Sequence, residues 1–436
     1  MEWLGEIPAH WEVKRLKDTV TTCQNGIWGA EPNGGGDDIA CIRVADFDRT
    51  RNRVIDNELT MRSISPTEQK GRLLQRNDLL LEKSGGGVQQ LVGTVVLYTL
   101  EHQAVCSNFV ARMSVAHGND SNYLCYLHAA LYDGHLNIRS IKQTTGIQNL
   151  DSNAYLNEKV GLPRLEEQHV IAAFLDCETA KIDALVAKKE RQIELLQEKR
   201  TAIISQAVIK GLDPTVPLKD ANVQWIDKIP VHWSVKRISK AVQKITNGYV
   251  GPTRDILVDD GVKYLQSLHI KNGGIRFKTP YYVTNEWSQV HQRSILREGD
   301  VLIVQTGDIG QCCAVTKEYE GSNCHALIIL RLKDGLGSGF YLSAFLRSDY
   351  GRNILLQTQT GALHPHLESG KVRDLFIVLP PSEEQERIMR FLDVETARID
   401  SLAVKVRQHI DKLHEYRTAL ISAAVTGKID VRGEAS

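Results

Sequence analysis

Two long stretches of the chain carry apolar or long side chains at intervals of three and four residues. This spacing keeps one stripe on one face of a helix, with polar interruptions like those of a coiled-coil seam. About 45 helical residues would reach roughly 65–70 Å, far longer than an ordinary globular helix. The first stripe is Leu175, Glu178, Ile182, Leu185, Lys189, Ile193, Leu196, Arg200, Ile203 and Ala207, and the second is Ile388, Leu392, Glu395, Ile399, Leu402, Val406, Ile410, Leu413, Arg417, Leu420 and Ala424.

The ends of these helices have their own signals. Ser382 is a candidate N-cap, and Gln385 stands where a capping box needs Glu or Gln. Gly211 and Gly427 mark the C-terminal ends. Because neither helix can bury its stripe alone, we expect the two to pack against each other as an antiparallel coiled coil. The alternative is that each stripe covers only its own neighbouring domain.

Shorter apolar runs predict buried strands at 78–81 and 300–304. A glycine-containing loop follows each run, at 84–87 and at 306–310. The segment from Tyr341 to Leu355 predicts a helix. The regions outside the long helices are therefore expected to be mixed α/β domains.

The chain is also a duplication. Residues 3–16 recur at 225–238 with 8 of 14 positions identical, and residues 165–213 recur at 382–430 with 25 of 49 identical. Weaker landmarks pair Asp78 with Asp300, Ser107-Asn108 with Ser322-Asn323, and Thr145-Gly146 with Thr360-Gly361. A repeat of this kind predicts one supersecondary design used twice, with insertions and deletions in the loops. Trp3, Trp11, Trp225 and Trp233 recur in both halves and are therefore assigned to the cores.

The predicted fold class is α+β: two mixed α/β domains separated by an antiparallel coiled coil of two long helices, related by an internal pseudo-two-fold repeat. The predicted boundaries are a first domain at 1–163, a long helix at 164–211, a linker at 212–224, a second domain at 225–380, a second long helix at 381–428 and a tail at 429–436.

Composition narrows the function classes. The 436 residues have a formal net charge of zero, which argues against an indiscriminate nucleic-acid binder. Residues 225–380 hold 19 basic and 14 acidic side chains, whereas residues 1–164 hold 17 and 19. Eight cysteines without a C-x-x-C pair predict reduced thiols rather than disulfides or zinc. With no apolar run of about 18 residues and no export signal, we expect a cytoplasmic protein.

The order of motifs resembles the specificity subunits of type I restriction-modification systems. The motifs are a W-x-x-x-I-P-x-H-W opening, a variable domain closed by a Thr-Gly turn, the sequence L-P-x-x-E-E-Q and a long helix, all of which then occur again. The resemblance covers essentially the whole chain, and the doubled order is more specific than any single motif.

The resemblance implies two target-recognition domains that each read one half of a bipartite DNA sequence. It also implies two methyltransferase subunits that carry S-adenosylmethionine, and two motor-nuclease subunits that use ATP and Mg. The chain itself is expected to bind no cofactor or metal and to do no chemistry. Consistently, its sequence lacks an Asn-Pro-Pro-Tyr or Asn-Pro-Pro-Phe tetrapeptide and a G-x-x-x-x-G-K-[ST] motif.

Base readout needs side chains that carry donors and acceptors into the major groove. The segments at the two Thr-Gly turns, the two glycine loops and a further loop near the start of the second domain are rich in such side chains. The predicted DNA-binding residues are Lys142, Gln143, Thr144, Thr145, Gln148 and Asn149, with Lys83, Ser84 and Gln89, in the first half, and Gln305, Thr306, Asn247, Tyr249, Arg254, Gln359, Thr360, His364 and His366 in the second.

Two other function classes stay open on the sequence alone. The first is a duplicated coiled-coil scaffold whose domains bind other proteins, and the second is an enzyme that joins recognition to its own methylation or cleavage. Because the two long helices hold the domains apart, we expect their length to set the spacer between the two half-sites.

Overall fold

The computed structural model describes residues 5–87, 90–143, 146–361 and 365–433. The chain forms two compact units. Unit 1 consists of Met1–Lys189 with Gln408–Ser436, and unit 2 is Glu190–Arg407. Both long helices therefore contribute residues to both units.

The first half of the chain supplies most of unit 1. Its strands are β1 (Glu12–Arg15), β2 (Val20–Asn25), β3 (Asp38–Ile42), β4 (Phe47–Asp48), β5 (Arg53–Val54), β6 (Met61–Ser63), β7 (Leu79–Glu82), β8 (Ser84–Gly85), β9 (Val95–Leu97), β10 (Ala104–Cys106), β11 (Val110–Val115), β12 (Ile141–Gln143), β13 (Gln148–Leu150) and β14 (Lys159–Leu162). Its α-helices are α1 (Pro66–Gln69), α2 (Ser121–Asp133), α3 (Ser152–Leu156) and the long α4 (Leu165–Lys210).

The second half supplies most of unit 2. Its strands are β15 (Leu218–Val223), β16 (Ile226–Pro230), β17 (Ser234–Arg237), β18 (Val242–Asn247), β19 (Val262–Leu265), β20 (Ile270–Lys271), β21 (Gly274–Ile275), β22 (Tyr282–Val283), β23 (Val301–Val304), β24 (Cys312–Ala314), β25 (Asn323–Cys324), β26 (Leu327–Leu332), β27 (Gln359–Thr360), β28 (His366–Leu367) and β29 (Phe376–Leu379). Its α-helices are α5 (Ile238–Ala241), α6 (Asn285–Val290), α7 (Gly339–Arg347), α8 (Asp349–Gln357), α9 (Ser369–Val372) and the long α10 (Ser382–Val425).

Each unit is built on a sheet whose central strands are the apolar runs of the sequence. In unit 1 the order is β2-β11-β7-β9-β5-β4, and every residue of β7 is buried. In unit 2 the order is β18-β26-β23-β24, and every residue of β23 is buried. Strands buried on both faces read as continuous rather than alternating apolar runs, which is why these two were visible in the sequence.

The two long helices run antiparallel within each unit. In unit 1, Arg417 donates to Asp183 at 3.2 Å, while in unit 2, Arg200 donates to Asp400 at the same distance. The two aspartates are equivalent in the repeat, and so are the two arginines, because each pair differs by 217 positions. The two stripe arginines, Arg200 and Arg417, thus form one reciprocal ion pair that is used twice. The predicted fold class is confirmed, and the stripes do more than cover their own domains.

The repeated motifs join the opening of each half to the start of its long helix. The indole Nε1 of Trp11 donates to Glu167 at 3.1 Å, and Trp233 donates to Glu384 at 3.0 Å. The preceding histidines contact the same carboxylates, His10 at 2.9 Å and His232 at 2.7 Å. Both tryptophan rings are buried. The H-W and E-E-Q motifs are therefore structural.

The glutamine that ends E-E-Q holds the neighbouring backbone. Gln168 donates to the carbonyl of Pro163 and accepts from the Asp120 amide. Gln385 donates to the carbonyls of Pro380 and Leu336 and accepts from the Ser338 amide. These bonds replace the capping box that the sequence predicted for Gln385.

Other local predictions are corrected by the fold. The segment 341–355 is not one helix, because Ser348 ends α7 and its hydroxyl caps α8 through the Gly351 amide. Trp225 is 64% exposed rather than part of the core, and Trp3 lies outside the described residues. The segment 212–224, predicted as a linker, contains β15, which pairs with β16.

Candidate nucleic-acid interface

In unit 1 a polar row crosses the small sheet formed by β12, β13 and β8. Lys142 lies directly opposite Asn149, and Asn149 lies directly opposite Ser84. The Ser84 hydroxyl donates to the Asn149 side-chain oxygen, and the Lys142 ammonium lies 2.7 Å from Asp151. Lys142 and Asn149 are exposed. The strand pairing thus brings a residue of the glycine loop onto the same face as two residues of the Thr-Gly segment.

Gln148 lies on the other face of β13 because successive strand residues alternate. It is 5% exposed. Its side-chain oxygen accepts from the Val92 amide at 3.2 Å, and its amide nitrogen donates to the Gly87 carbonyl at 3.4 Å. Gln148 therefore supports the glycine loop through its side chain. Its burial argues against base contact, and its predicted DNA-binding role stays a prediction.

Lys83 stands beside the row and reaches a residue that the sequence analysis did not single out. Its ammonium donates to the side-chain oxygen of Asn25 at 2.8 Å. Asn25 is the last residue of β2 and is exposed. Gly26 follows it, and a Cβ there would collide with the carbonyl of Cys106, so this close approach needs glycine.

Unit 2 has a corresponding arrangement with different side chains, on a two-stranded β27–β28 hairpin in place of the three-stranded sheet. The Gln305 amide donates to Asn247 at 3.3 Å and to the Leu367 carbonyl at 3.1 Å. Thr360 lies opposite His366 in the β27–β28 pair, and its hydroxyl donates to Glu368 at 2.8 Å. Both His366 and Glu368 are exposed.

The remaining predicted residues of unit 2 fall into three environments. Thr306 is exposed at the start of the glycine loop, and Gln359 is half-buried in β27. Tyr249 packs edge-on against Trp287, with ring centroids 5.0 Å apart, so it belongs to an aromatic cluster. Arg254 is exposed in a turn that follows Tyr249 in the sequence and is separated from the β27–β28 hairpin by about 100 residues of chain.

Several predicted residues lie outside the described part of the chain. Gln89, Thr144, Thr145 and His364 are among them. The backbone of Gln143 belongs to β12, but its side chain is not described. The predictions for these residues stay predictions.

Strand registers define which residues of the two halves are equivalent. Val110 pairs with Glu82, and Leu327 pairs with Val304, which is the equivalent of Glu82. Each residue of β11 therefore corresponds to the residue of β26 that lies 217 positions later. Likewise the amides of Leu150 and Leu367 bond the carbonyls of Lys83 and Gln305. The landmarks Ser107-Asn108 and Ser322-Asn323, 215 apart, are therefore not structural equivalents. The landmark at Thr145 lies outside the described residues.

This register relates the two candidate surfaces position by position. Asn25 and Asn247 are equivalent, and each accepts from the residue that follows the buried strand. That residue is Lys83 in unit 1 and Gln305 in unit 2. The repeated Asn-Gly dipeptide, 222 positions apart, was a sequence signal that could have identified Asn25. The equivalent pairs with different side chains are Lys83 and Gln305, Ser84 and Thr306, and Asn149 and His366.

An apolar cavity of about 460 Å³ adjoins Ser84 in unit 1. Trp28, Phe109 and Ile147 line it, and these side chains are 38%, 49% and 56% exposed. Apolar side chains next to polar ones can contact the methyl group of thymine. No periodicity or motif in the sequence marks these three residues, so they were missed.

A buried ion pair supports the loop in unit 1. Glu82 is fully buried, and Arg49 lies 2.9 Å from its carboxylate. Burial raises the pKa of Glu82, while Arg49 opposes that rise. The equivalent position in unit 2 is the apolar Val304, so this pair belongs to unit 1 alone.

The described side chains do not offer a metal centre. Across these residues, His, Cys, Asp and Glu form no group of three that could hold a metal ion. In the same part of the chain, no helix is long and apolar enough to cross a membrane.

Comparisons with known proteins agree with this architecture. A family model described as the type I restriction modification DNA specificity domain matches residues 8–195 and 230–411. The chain is 24% identical over 298 residues to the type I restriction enzyme EcoBI specificity subunit of Escherichia coli, covering 66% of this chain and 62% of that subunit. It is 21% identical over 450 residues to the EcoKI specificity subunit of E. coli K12, covering 99% and 92%.

Solved structures support the fold. A chain from a structure described as the basis of complex assembly and conformational transition of the type I R-M system has a TM-score of 0.71 at 15% identity, covering 97% of this chain and all of that one. The HsdS subunit from Thermoanaerobacter tengcongensis has a TM-score of 0.52 at 16% identity, covering 97% and 98%. At these identities the likeness concerns the fold alone.

Proposed function

This chain belongs to the type I restriction-modification DNA specificity family, and from that premise we propose that each of its two units reads one half of a bipartite DNA target. The reading surface of unit 1 is the row of Lys142, Asn149 and Ser84 with Lys83 beside it. That of unit 2 is formed by Gln305, Thr306, Thr360 and His366.

One observation carries this proposal: the two units hold different polar side chains on the same backbone frame. Asn25 and Asn247 occupy equivalent places, whereas the donors they hold are Lys83 and Gln305. A shared frame fixes where a side chain meets the DNA, and the side chain decides which base it prefers. Two sequences of different composition can therefore be read by one design.

The side chains differ in the chemistry that base edges can distinguish. A lysine ammonium only donates and suits the acceptors O6 and N7 of guanine, whereas a glutamine amide donates and accepts and suits adenine. Lys83 and Gln305 would therefore favour different purines at equivalent positions. The cavity beside Ser84 would admit a thymine methyl group.

Chemistry is assigned to partner subunits. Two methyltransferase subunits would carry S-adenosylmethionine, and two motor-nuclease subunits would use ATP and Mg. The chain itself would be a non-catalytic subunit that docks them and acts in the cytoplasm. The family match favours this function over a coiled-coil scaffold without DNA specificity.

Exchange of one domain tests the proposal. Residues 1–163 would be replaced by the corresponding domain of another member of the family, keeping Glu167 and Gln168 so that the contacts at the start of α4 remain. Methylome sequencing of cells with the complete system should report one changed half-site and one unchanged half-site. The reciprocal exchange of residues 225–380 is the control and should change the other half-site. A simultaneous change of both half-sites in either exchange would contradict independent reading.

A further inference from the structure

A cavity of about 480 Å³ in unit 2 concentrates positive charge. Its lining includes Arg276 from the segment after β21, Arg347 from α7, Arg352 from α8 and Arg407 from α10. Arg200 of α4 and Asp400 of α10 also line it. Five arginines and one carboxylate therefore surround one open space.

The one carboxylate in the lining, that of Asp400, is already paired with an arginine. Asp400 lies 3.2 Å from Arg200 in the cross-helix ion pair. For the other four arginines, no carboxylate oxygen of the described residues lies within 4.0 Å. Burial, with a smaller contribution from Arg200, lowers the pKa of Arg347, while Cys312 and Asp393 oppose this shift. A group of cations that outnumbers its counter-charges favours the binding of an anion.

The scaffold does not require this cluster. Tyr123 and Tyr341 are equivalent, because each donates to a carbonyl near the end of a long helix, at Val425 and Val208 respectively. Ala129 lies six residues after Tyr123, and Arg347 lies six residues after Tyr341, so Ala129 is the unit 1 residue that corresponds to Arg347. Ala129 lines a smaller cavity of about 230 Å³, next to Arg417. At this position the positive charge therefore belongs to the second copy alone.

Uncharged parts of the cavity suit a phosphate. Gln197, Thr201 and Gln311 add neutral hydrogen-bonding groups to the lining. Gly273 has a φ of +81°, and a Cβ there would collide with the Arg347 guanidinium, so the backbone and the arginine lie in close contact. Arginine is the side chain best matched to phosphate oxygens, because its planar fork can donate two parallel hydrogen bonds.

The cavity shares a loop with the candidate reading surface of unit 2, because Gly310 and Gln311 line it. Gln311 ends the loop that Thr306 begins, and the Val304 amide donates to the Gln311 carbonyl at 2.8 Å. Base-reading residues and the arginine cluster thus flank one short loop. Proteins that read bases take most of their hydrogen bonds from the neighbouring phosphates and sugars.

We propose that the arginine cavity of unit 2 binds phosphodiester groups of the DNA strand that flanks the second half-site. The inference rests on the proposed function, and it adds a contact that positions the DNA without reading its sequence. The ligand is chosen over an acidic protein surface because the cavity adjoins the base-reading loop.

The test uses the full chain in complex with its methyltransferase subunits and two duplexes, one carrying the target and one unrelated. Arg352→Gln with Arg407→Gln removes two exposed charges from the cavity. The logarithm of the binding constant should fall less steeply with the logarithm of salt concentration, by about 0.9 for each phosphate that the protein no longer neutralises. Affinity should fall by a similar factor on both duplexes, and the methylated sequence should be unchanged.

Two further variants make the result decisive. Arg398→Gln changes an exposed arginine of α10 that does not line the cavity, and it should leave the salt dependence unchanged. Arg352→Lys with Arg407→Lys keeps the charges and should restore most of the slope. An unchanged slope in the Gln pair would overturn the phosphate site. The phosphate site would also be overturned if the Gln pair released the methyltransferase subunits but bound DNA as before. That result would assign the cavity to an acidic protein surface. In both cases the domain-exchange result would still stand.

Discussion

Substitution of two adjacent residues, Gln148 and Asn149, tests the assignment of structure and recognition to opposite faces of β13. In Gln148→Ala the Val92 amide loses its acceptor at 3.2 Å, and the Gly87 carbonyl loses a donor at 3.4 Å. Val92 is fully buried, so water cannot easily replace the missing acceptor. Asn149→Ala removes only an exposed side chain and its hydrogen bond with Ser84.

The two variants should differ in kind and not only in size. An unsatisfied buried donor costs about 1–3 kcal/mol, so Gln148→Ala should lower the free energy of unfolding by that amount. In a unit of this size each kcal/mol lowers Tm by about 2–4 °C. Asn149→Ala should leave Tm within about 2 °C, since surface changes alter stability by less than about 0.5 kcal/mol.

Recognition should respond in the opposite sense. Removal of one base contact costs about 1–3 kcal/mol of discrimination, so Asn149→Ala should relax one position of the first half-site. Gln148→Ala should keep the methylated sequence. Thermal unfolding of the purified chain measures stability, and methylome sequencing measures specificity. A relaxed sequence without a lower Tm in Gln148→Ala would refute the assignment of this residue to the interior.

Two further predictions concern buried charge in unit 1. Arg49→Ala should lower the free energy of unfolding by about 3–5 kcal/mol, because it leaves the buried Glu82 carboxylate without its partner. The double variant Arg49→Ala with Glu82→Val, which introduces the residue type of unit 2, should recover most of that stability in a thermal melt. Equal melting temperatures of the single and double variants would contradict this explanation. Burial lowers the pKa of His128 from 6.5 to about 4, so its neutral form stabilises the fold above pH 6.5 and that stability is lost as the pH falls towards 4, by about 3 kcal/mol in total. Urea unfolding at pH 7, 6 and 5 should show a smaller fall in the free energy of unfolding for the double variant His128→Leu with Tyr155→Phe than for the unchanged protein. The same dependence on pH in both proteins would contradict this role of His128.

What the sequence could predict followed from local periodicity and from the repeat. The stripes of the long helices and the apolar runs of β7 and β23 depend on neighbouring residues, so pattern alone located them. The repeat also identified which segments would surround the candidate site. The reciprocal pairing of Asp183 with Arg417 and of Arg200 with Asp400 required only that the helices be antiparallel.

What could not be predicted depends on strand pairing and on distant contacts. Gln148 and Asn149 have the same donors and acceptors, and only the pairing of β13 with β8 decides which one faces inward. Ser348 interrupts an apolar pattern that continues across it, because its hydroxyl caps the next helix. The arginine cavity joins residues from 200 to 407, and no local pattern could bring them together.

The division of the chain into units has a consequence for its synthesis. Unit 2 is one continuous segment, whereas the core of unit 1 includes Leu420, Ile421, Ala424 and Val425 from the end of the chain. A ribosome makes the N-terminal part first, and domains generally fold as they emerge. Here the first unit to begin is the last to be completed: residues 5–189 must wait, with part of their apolar surface uncovered, until the whole of unit 2 and the end of α10 have been made.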